Sequence, residues 1–370
     1  RDSLTVEKKV ENLIRGIDFH EVLMEGMLSL LLFAGAMHID LSELAEKKWP
    51  IGILATVGTI TSTFLVGLLT WWVFGGLGID IPLIYCLLFG SLISPTDPIA
   101  VLGILKSANA PKSLEIKIAG ESLFNDGVAV VVFTILLTIA VGGADISAAD
   151  VALLFAEEAI GGAVFGFVIG YVAYRMIKSI DSYHVEVLIT LGLVLGGYAL
   201  ALQIHASGPI AMVVAGLLIG NQGRSFAMSD ETRKRLDTFW EIIDELLNAV
   251  LFVLIGFEMI ILTFTGQYLL AAAILIPIVL LIRLLCVGVP ISVMRRFGVT
   301  EFTPHSVKIL TWAGVRGGIS VALALSLPLG PERDVILSVT YVAVLFSIVV
   351  QGLSIGNVIE RLLPSEPNGQ

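Results

Sequence analysis

Charge is scarce in this chain. Of 370 residues only 15% are charged, while 56% are hydrophobic and the mean hydropathy is +0.93. A soluble domain carries about 25% charged residues, so the composition excludes a soluble globular protein and points to a polytopic membrane protein. Cysteine is scarcer still. Cys86 and Cys286 both fall in apolar runs and read as small core residues rather than as a disulfide or a metal pair. The five histidines (His20, His38, His184, His205 and His305) never fall at metal-ligand spacing. P-loop, dinucleotide and zinc motifs are missing too, so soluble nucleotide chemistry, a resident cofactor, enzyme activity and nucleic-acid binding are not expected. Nor does a basic start with a short apolar run mark a cleavable signal peptide. Residue 1 is Arg, so the chain is expected to be an internal piece.

What is abundant is apolar sequence in lengths that suit a bilayer. About 20 apolar residues span one, and segmentation on that length gives eleven spans. They lie near Val22 to Leu41, Pro50 to Phe74, Ile81 to Leu105, Glu115 to Val141, Val151 to Ile177 and Glu186 to Ile204. The remainder are Gly208 to Asn221, Phe239 to Leu262, Tyr268 to Met294, Val307 to Leu327 and Asp334 to Ile359. After odd-numbered spans come fifteen Lys and Arg residues, beginning with Lys47 and Lys48 and ending with Arg361. After even-numbered spans there is only Arg333, among Asp80, Asp145, Asp150, Glu332 and Asp334. The net charge of -10 says nothing about orientation, but this asymmetry does: the odd loops and the C-terminus are expected on the cytoplasmic side, and residues 1–20 outside.

Two spans are interrupted where a simple membrane helix would be continuous. In 81–105, Ser94-Pro95-Thr96-Asp97-Pro98 sets two prolines and an acid at mid-depth, which removes amide donors and frees carbonyls. In 307–327, Ala313-Gly314-Val315-Arg316-Gly317-Gly318 sets glycines beside a buried cation. Either alone reads as a proline kink or a glycine packing surface. Together, as the third and tenth spans, they stand an odd offset of seven apart and so cross the membrane in opposite directions, as equivalent helices of an inverted repeat would. The expected organisation is a first repeat over 22–141, a linker helix over 151–177 and a second repeat over 186–359, with an ion site near the midplane.

The stretch Gly120-Glu121-Ser122-Leu123-Phe124-Asn125-Asp126 adds charge at membrane depth, where a carboxylate costs about 3 kcal/mol or more. Helical spacing puts Ser122 and Asp126 on one face and Glu121 and Asn125 on the next. Arg316 keeps its proton and needs an anion, and Glu121 is its expected partner; Arg283 and Glu258 are placed nearer span edges. Asp97 and Asp126 are then left to hold a proton or a metal cation. Oxygen ligands suit a hard cation, and Asp126, Ser122, Thr96 and Asp97 supply them, although Ser122 and Thr96 could equally back-bond to a helix carbonyl. Glu241, Asp244 and Glu245 read as a solvated cytoplasmic entrance that attracts cations, and Asn248 as an interhelical hydrogen-bond former.

With Phe33-Ala34-Gly35-Ala36-Met37-His38-Ile39-Asp40-Leu41, the three motifs above make the chain resemble the NhaP-type sodium/proton antiporters, relatives of the animal sodium/proton exchangers in the monovalent cation:proton antiporter superfamily. The likeness runs along essentially the whole chain. It implies a fold of thirteen helices, with a core domain moving past a dimerisation domain, and a homodimer. It also implies that Asp126 is the ion-binding carboxylate, aided by Thr96, Asp97 and Ser122, that Glu121 and Arg316 form a stabilising pair, and that Asn125 is polar scaffolding. Two departures stand out. Two N-terminal helices of the family pattern are missing ahead of the eleven spans, and Ala34 stands where many relatives carry a Glu near the ion site.

The expected activity is exchange of a monovalent cation, Na+ or else Li+ or K+, for protons across the cell membrane. With Asn125 in place of a second acid it is expected to be electroneutral. An ion channel would need pore rings or a filter, and an intramembrane aspartyl protease using Asp97 and Asp126 would need a Gly-x-Gly-Asp signature. The nearest rival is a sodium-coupled solute symporter.

Overall fold

The computed structural model describes residues 26–107, 110–142, 148–261, 265–299 and 302–362, and among them the regular structure is helical throughout. The expected extracytoplasmic segment 1–20 lies outside the described residues.

Helix α1 (Leu28–Met37) ends at a short link in which the Asp40 side chain accepts from the Ser42 and Glu43 amides, starting α2 (Leu41–Glu46). Asp at this position satisfies amides that the first turn leaves without carbonyl partners. Helix α3 (Lys48–Gly76) tolerates Pro50 because it falls in the first turn, where no amide donor is missed. Two half-length helices follow, α4 (Leu83–Ile93) and α5 (Ile99–Ser107), separated by the Ser94–Pro98 link. Then come α6 (Lys112–Gly142), α7 (Ala148–Lys178), α8 (Tyr183–Gln203) and α9 (Gly208–Gly223). Ser207 caps α9 through the Ile210 amide. The charged α10 (Asp230–Ile261) and the apolar α11 (Gly266–Arg296) precede a second broken pair, α12 (Ser306–Trp312) and α13 (Gly318–Leu325). Helix α14 (Pro331–Leu362) closes the described chain.

Each expected span overlaps one of these helices or a broken pair. Six helices, α3, α6, α7, α8, α11 and α14, are long and apolar enough to cross a membrane. Shorter apolar helices α1, α4 and α9 lie among them. The chain is thus an all-helical polytopic membrane protein.

Small residues set a close crossing of α3 and α4. A side chain on Gly67 of α3 would meet the Leu87 backbone of α4 at 2.8 Å, and one on Gly90 of α4 would strike the Thr63 carbonyl. Without a hydrophobic force between helices in lipid, such backbone approach is what binds them. It fixes the depth at which α4 ends, and therefore the depth of the break. Helix α1 is anchored separately: Phe33 packs against the buried Trp240 of α10 with ring centroids 4.8 Å apart and the rings tilted by 53°, and Trp240 Nε1 donates to Thr190 Oγ1 of α8 at 3.2 Å. By contrast α7 presents Val164, Phe167, Val168 and Val172 outward, an apolar face that water would penalise and lipid would not.

Candidate ion-binding site

The two helix breaks face each other. The Asp97 amide donates to the Val315 carbonyl at 2.7 Å, joining the Ser94–Pro98 link to the Ala313–Gly317 link. The Arg316 guanidinium donates to the Ser94 carbonyl and, at 2.8 Å, to the Pro95 carbonyl. These carbonyls lie at the C-terminal end of α4, where the helix leaves acceptors unpaired and carries partial negative charge, so a cation is favoured there. The Arg316 amide donates to Ser347 Oγ at 2.7 Å, Ser347 donates to Gln351 Oε1 at 2.7 Å, and Gln351 Nε2 donates to the Trp312 carbonyl at 3.1 Å. Helix α14 thereby satisfies the second break. The complementary charge lies at α13: Asp97 packs so closely on Gly317, the residue before its first turn, that any side chain there would clash with the Asp97 carboxylate.

Helix α6 supplies the rest. Asn125 Nδ2 donates to Thr96 Oγ1 at 2.9 Å, its Oδ1 accepts from the Thr96 amide at 3.4 Å, and Ser122 donates to the Thr96 carbonyl. Three side-chain bonds therefore hold Thr96 against α6. Asp126 follows one turn after Ser122 and is only 7% exposed, and among the described residues it makes no ion pair.

A cavity of about 660 Å³ reaches this group. Glu115, Ala119, Ser122 and Asp126 line it from one face of α6, and Glu241, Asp244, Glu245 and Asn248 from one face of α10. Both sets follow the spacing of three and four that marks one side of a helix. Asp126 lies fourteen residues beyond Lys112, or about 21 Å along the axis. Near the mouth Lys112 pairs with Glu43 of α2. Thr96 and Asp97 also line the cavity, so one space connects an acidic mouth with two buried-end carboxylates and hydroxyl oxygens. That donor set suits a desolvated monovalent cation or a proton.

The description "Sodium/hydrogen exchanger, transmembrane" matches residues 5–361. The chain belongs to that family. It is similar to the Na(+)/H(+) antiporter NhaP of Pseudomonas aeruginosa, 58% identical over 364 residues that cover 98% of this chain and 86% of that protein. It is also similar to the Na(+)/H(+) antiporter NhaH of Halobacillus dabanensis, 36% identical over 352 residues covering 93% of this chain and 84% of that one. The fold is that of the sodium proton antiporter MjNhaP1 from Methanocaldococcus jannaschii, with a TM-score of 0.74 at 19% identity, over 94% of this chain and 87% of that one.

In this exchanger chain Thr96, Asp97, Ser122 and Asp126 come together, as do Glu241, Asp244 and Glu245 farther out in the same cavity. One pairing is corrected. Glu121 is bonded to Arg283 of α11, at 2.5 Å, and not to Arg316. Arg283 also donates to the Leu310 carbonyl at 3.3 Å, while Arg316 is spent on carbonyls of the first break. A guanidinium can be satisfied by several carbonyls at a helix end as well as by a carboxylate, so Arg316 had no need of Glu121. The signal for Arg283 lay in its place beside the midpoint of the 268–294 span, where a cation needs a buried anion; Arg283 is itself buried. The Glu258 side chain lies outside the described residues. Asn248 bonds within its own helix, to the Asp244 carbonyl at 2.8 Å and Oδ1 at 3.2 Å, rather than across helices. His38, Glu43 and Glu115 also line the cavity and were not foreseen. Ala34 is fully buried.

Proposed function

We propose that this chain exchanges a monovalent cation for protons across the cell membrane by alternating access, with Asp126 holding cation and proton in turn. The observation that carries the reading is the single cavity that leads from an acidic mouth to Asp126, with Thr96, Asp97 and Ser122 around it. When the cation enters, the carboxylate releases its proton. When a proton returns, the neutral acid loses its hold on the cation. One carboxylate changing hands gives one charge in each direction, so we read the exchange as electroneutral, with Asn125 fixing Thr96 instead of titrating. The family's relatives are named as antiporters, a transport function and not an enzymatic one, and this removes the solute-symport reading.

Several finer points belong to the same reading. We take the two broken helices as equivalent parts of inverted repeats, 22–141 and 186–359, joined by the 151–177 helix. We count eleven spans here against thirteen in the family pattern, with the C-terminus cytoplasmic. We expect a homodimer, and no cofactor beyond the transported ions.

Purified protein in liposomes with an internal pH dye tests the reading. Sodium, lithium and potassium are added separately, with the membrane potential clamped or free. A saturable pH change that ignores the clamp is expected. Cation flux without proton movement, or flux that follows the potential, overturns exchange or electroneutrality respectively.

A further inference from the structure

Outside the ion site, the strongest concentration of unlike chemistry lies where α3 begins and α11 ends. Lys47-Lys48-Trp49 stands at the start of α3 and Arg295-Arg296-Phe297 at the end of α11, Lys47 and Phe297 just outside the helices, in the same order of two cations and an aromatic. The two helices run antiparallel in contact: Gln267 at the start of α11 donates to the Leu77 carbonyl just past the end of α3, and a side chain on Gly58 would lie 3.7 Å from the Cys286 carbonyl, each ten residues from its own end, so the two triplets reach the same level. Phe302 lies beside the end of α11. The Lys117 ammonium, almost wholly buried, is 4.5 Å from its ring centroid, and the Arg295 guanidinium is 5.6 Å from the same centroid. Lys47 and Arg295 both repel the Lys117 ammonium. Lys47, Lys117 and Arg295 thus lie near one another, and Lys48 and Arg296 adjoin them in sequence, against Glu46 and Glu301.

Cations grouped at one level of the molecule attract an anion. The level of the patch says which anion. Both α3 and α11 are long enough to span a bilayer, so their ends meet the headgroup region. Trp49 and Phe297 are 62% and 75% exposed, large apolar surfaces that water disfavours and the membrane interface accepts. Basic side chains at helix ends beside such aromatics fit a lipid phosphate, with the acyl chains descending along the apolar helix faces.

We propose that Lys47, Lys48, Arg295 and Arg296, with Lys117 and Phe302 behind them, form a binding site for the phosphate of an anionic phospholipid. Arg295 spends one donor on the Thr303 carbonyl at 3.3 Å and keeps others for the phosphate. Lys117 supplies field and not contact.

The test uses the full chain in neutral detergent, with melting followed as lipid is added. Dioleoyl phosphatidylglycerol is expected to raise the melting temperature, and phosphatidylcholine or inorganic phosphate at equal concentration is not. Lys48→Gln with Arg296→Gln changes two exposed residues and so leaves the packed structure alone. It is expected to weaken the phosphatidylglycerol effect on the order of tenfold, while Arg175→Gln with Lys178→Gln, an equal charge loss at the end of α7, leaves it within about twofold. The proposal is overturned if the two double variants weaken binding equally, which would mean bulk surface charge. Inorganic phosphate matching the lipid would overturn it as well, since the site would then take a small free anion. The readout is binding alone, so a failure of cation exchange would leave its outcome intact.

Discussion

Glu121 on α6 and Arg283 on α11, 162 residues apart, form a buried ion pair at 2.5 Å, and neither contacts the cavity. Through the Leu310 carbonyl, Arg283 also holds α12, so this one side chain links the helix bearing Asp126 to the helix leading into the second break. The pair is part of the frame that keeps the two breaks opposed.

Removing either member leaves a charge without its partner in a desolvated interior, at about 3 to 5 kcal/mol. Glu121→Ala and Arg283→Ala should each lower the melting temperature sharply, and the double change should cost much less than their sum. Thermal melts of the four proteins check this. The Glu121/Arg316 cycle should show a smaller coupling, because Arg316 is bonded to the Ser94 and Pro95 carbonyls. A larger coupling in that second cycle would restore the pairing expected from sequence.

Gly317 tests whether the position of Asp97 matters. Its backbone is extended, with φ -125° and ψ -156°, so alanine is acceptable conformationally and only space is lacking. Gly317→Ala should push the Asp97 carboxylate away from α13, cost roughly 1 to 3 kcal/mol in stability and reduce transport in the folded protein. Unchanged transport and melting would show that Asp97 moves aside freely.

Asp126→Asn keeps size and an oxygen but removes the charge that a proton can cancel. Liposome exchange should disappear while size-exclusion and melting profiles stay close to the parent. Asp97→Asn should leave partial transport. If the Asp126→Asn protein still exchanged at a substantial rate, proton coupling would reside elsewhere, Asp97 first.

Cation and proton compete for one group, so the pH dependence has a fixed sign. Protonated Asp126 is a poor ligand, and the half-saturating cation concentration should rise as pH falls, approaching about tenfold per pH unit on the acid side. Initial rates across about pH 6 to 8.5 measure it, and a flat value would exclude a shared site.

The sequence by itself determined the class of protein, because fully apolar runs of bilayer length leave few alternatives to membrane helices. It also determined where two helices must break: Pro95 and Pro98 remove amide donors whatever surrounds them, and glycines at 314, 317 and 318 weaken helix wherever they fall. Helical spacing within α6 and α10 put Ser122 with Asp126, and Glu241 with Asp244 and Glu245, on common faces. Only the tertiary structure decided who meets whom across helices. Periodicity fixes which residues share a side of one helix, but not the rotation and depth of a second helix against it. Arg283 therefore took Glu121, Arg316 took the free carbonyls of α4, and His38, Glu43 and Glu115 joined the cavity through the docking of α1 and α2 on α6.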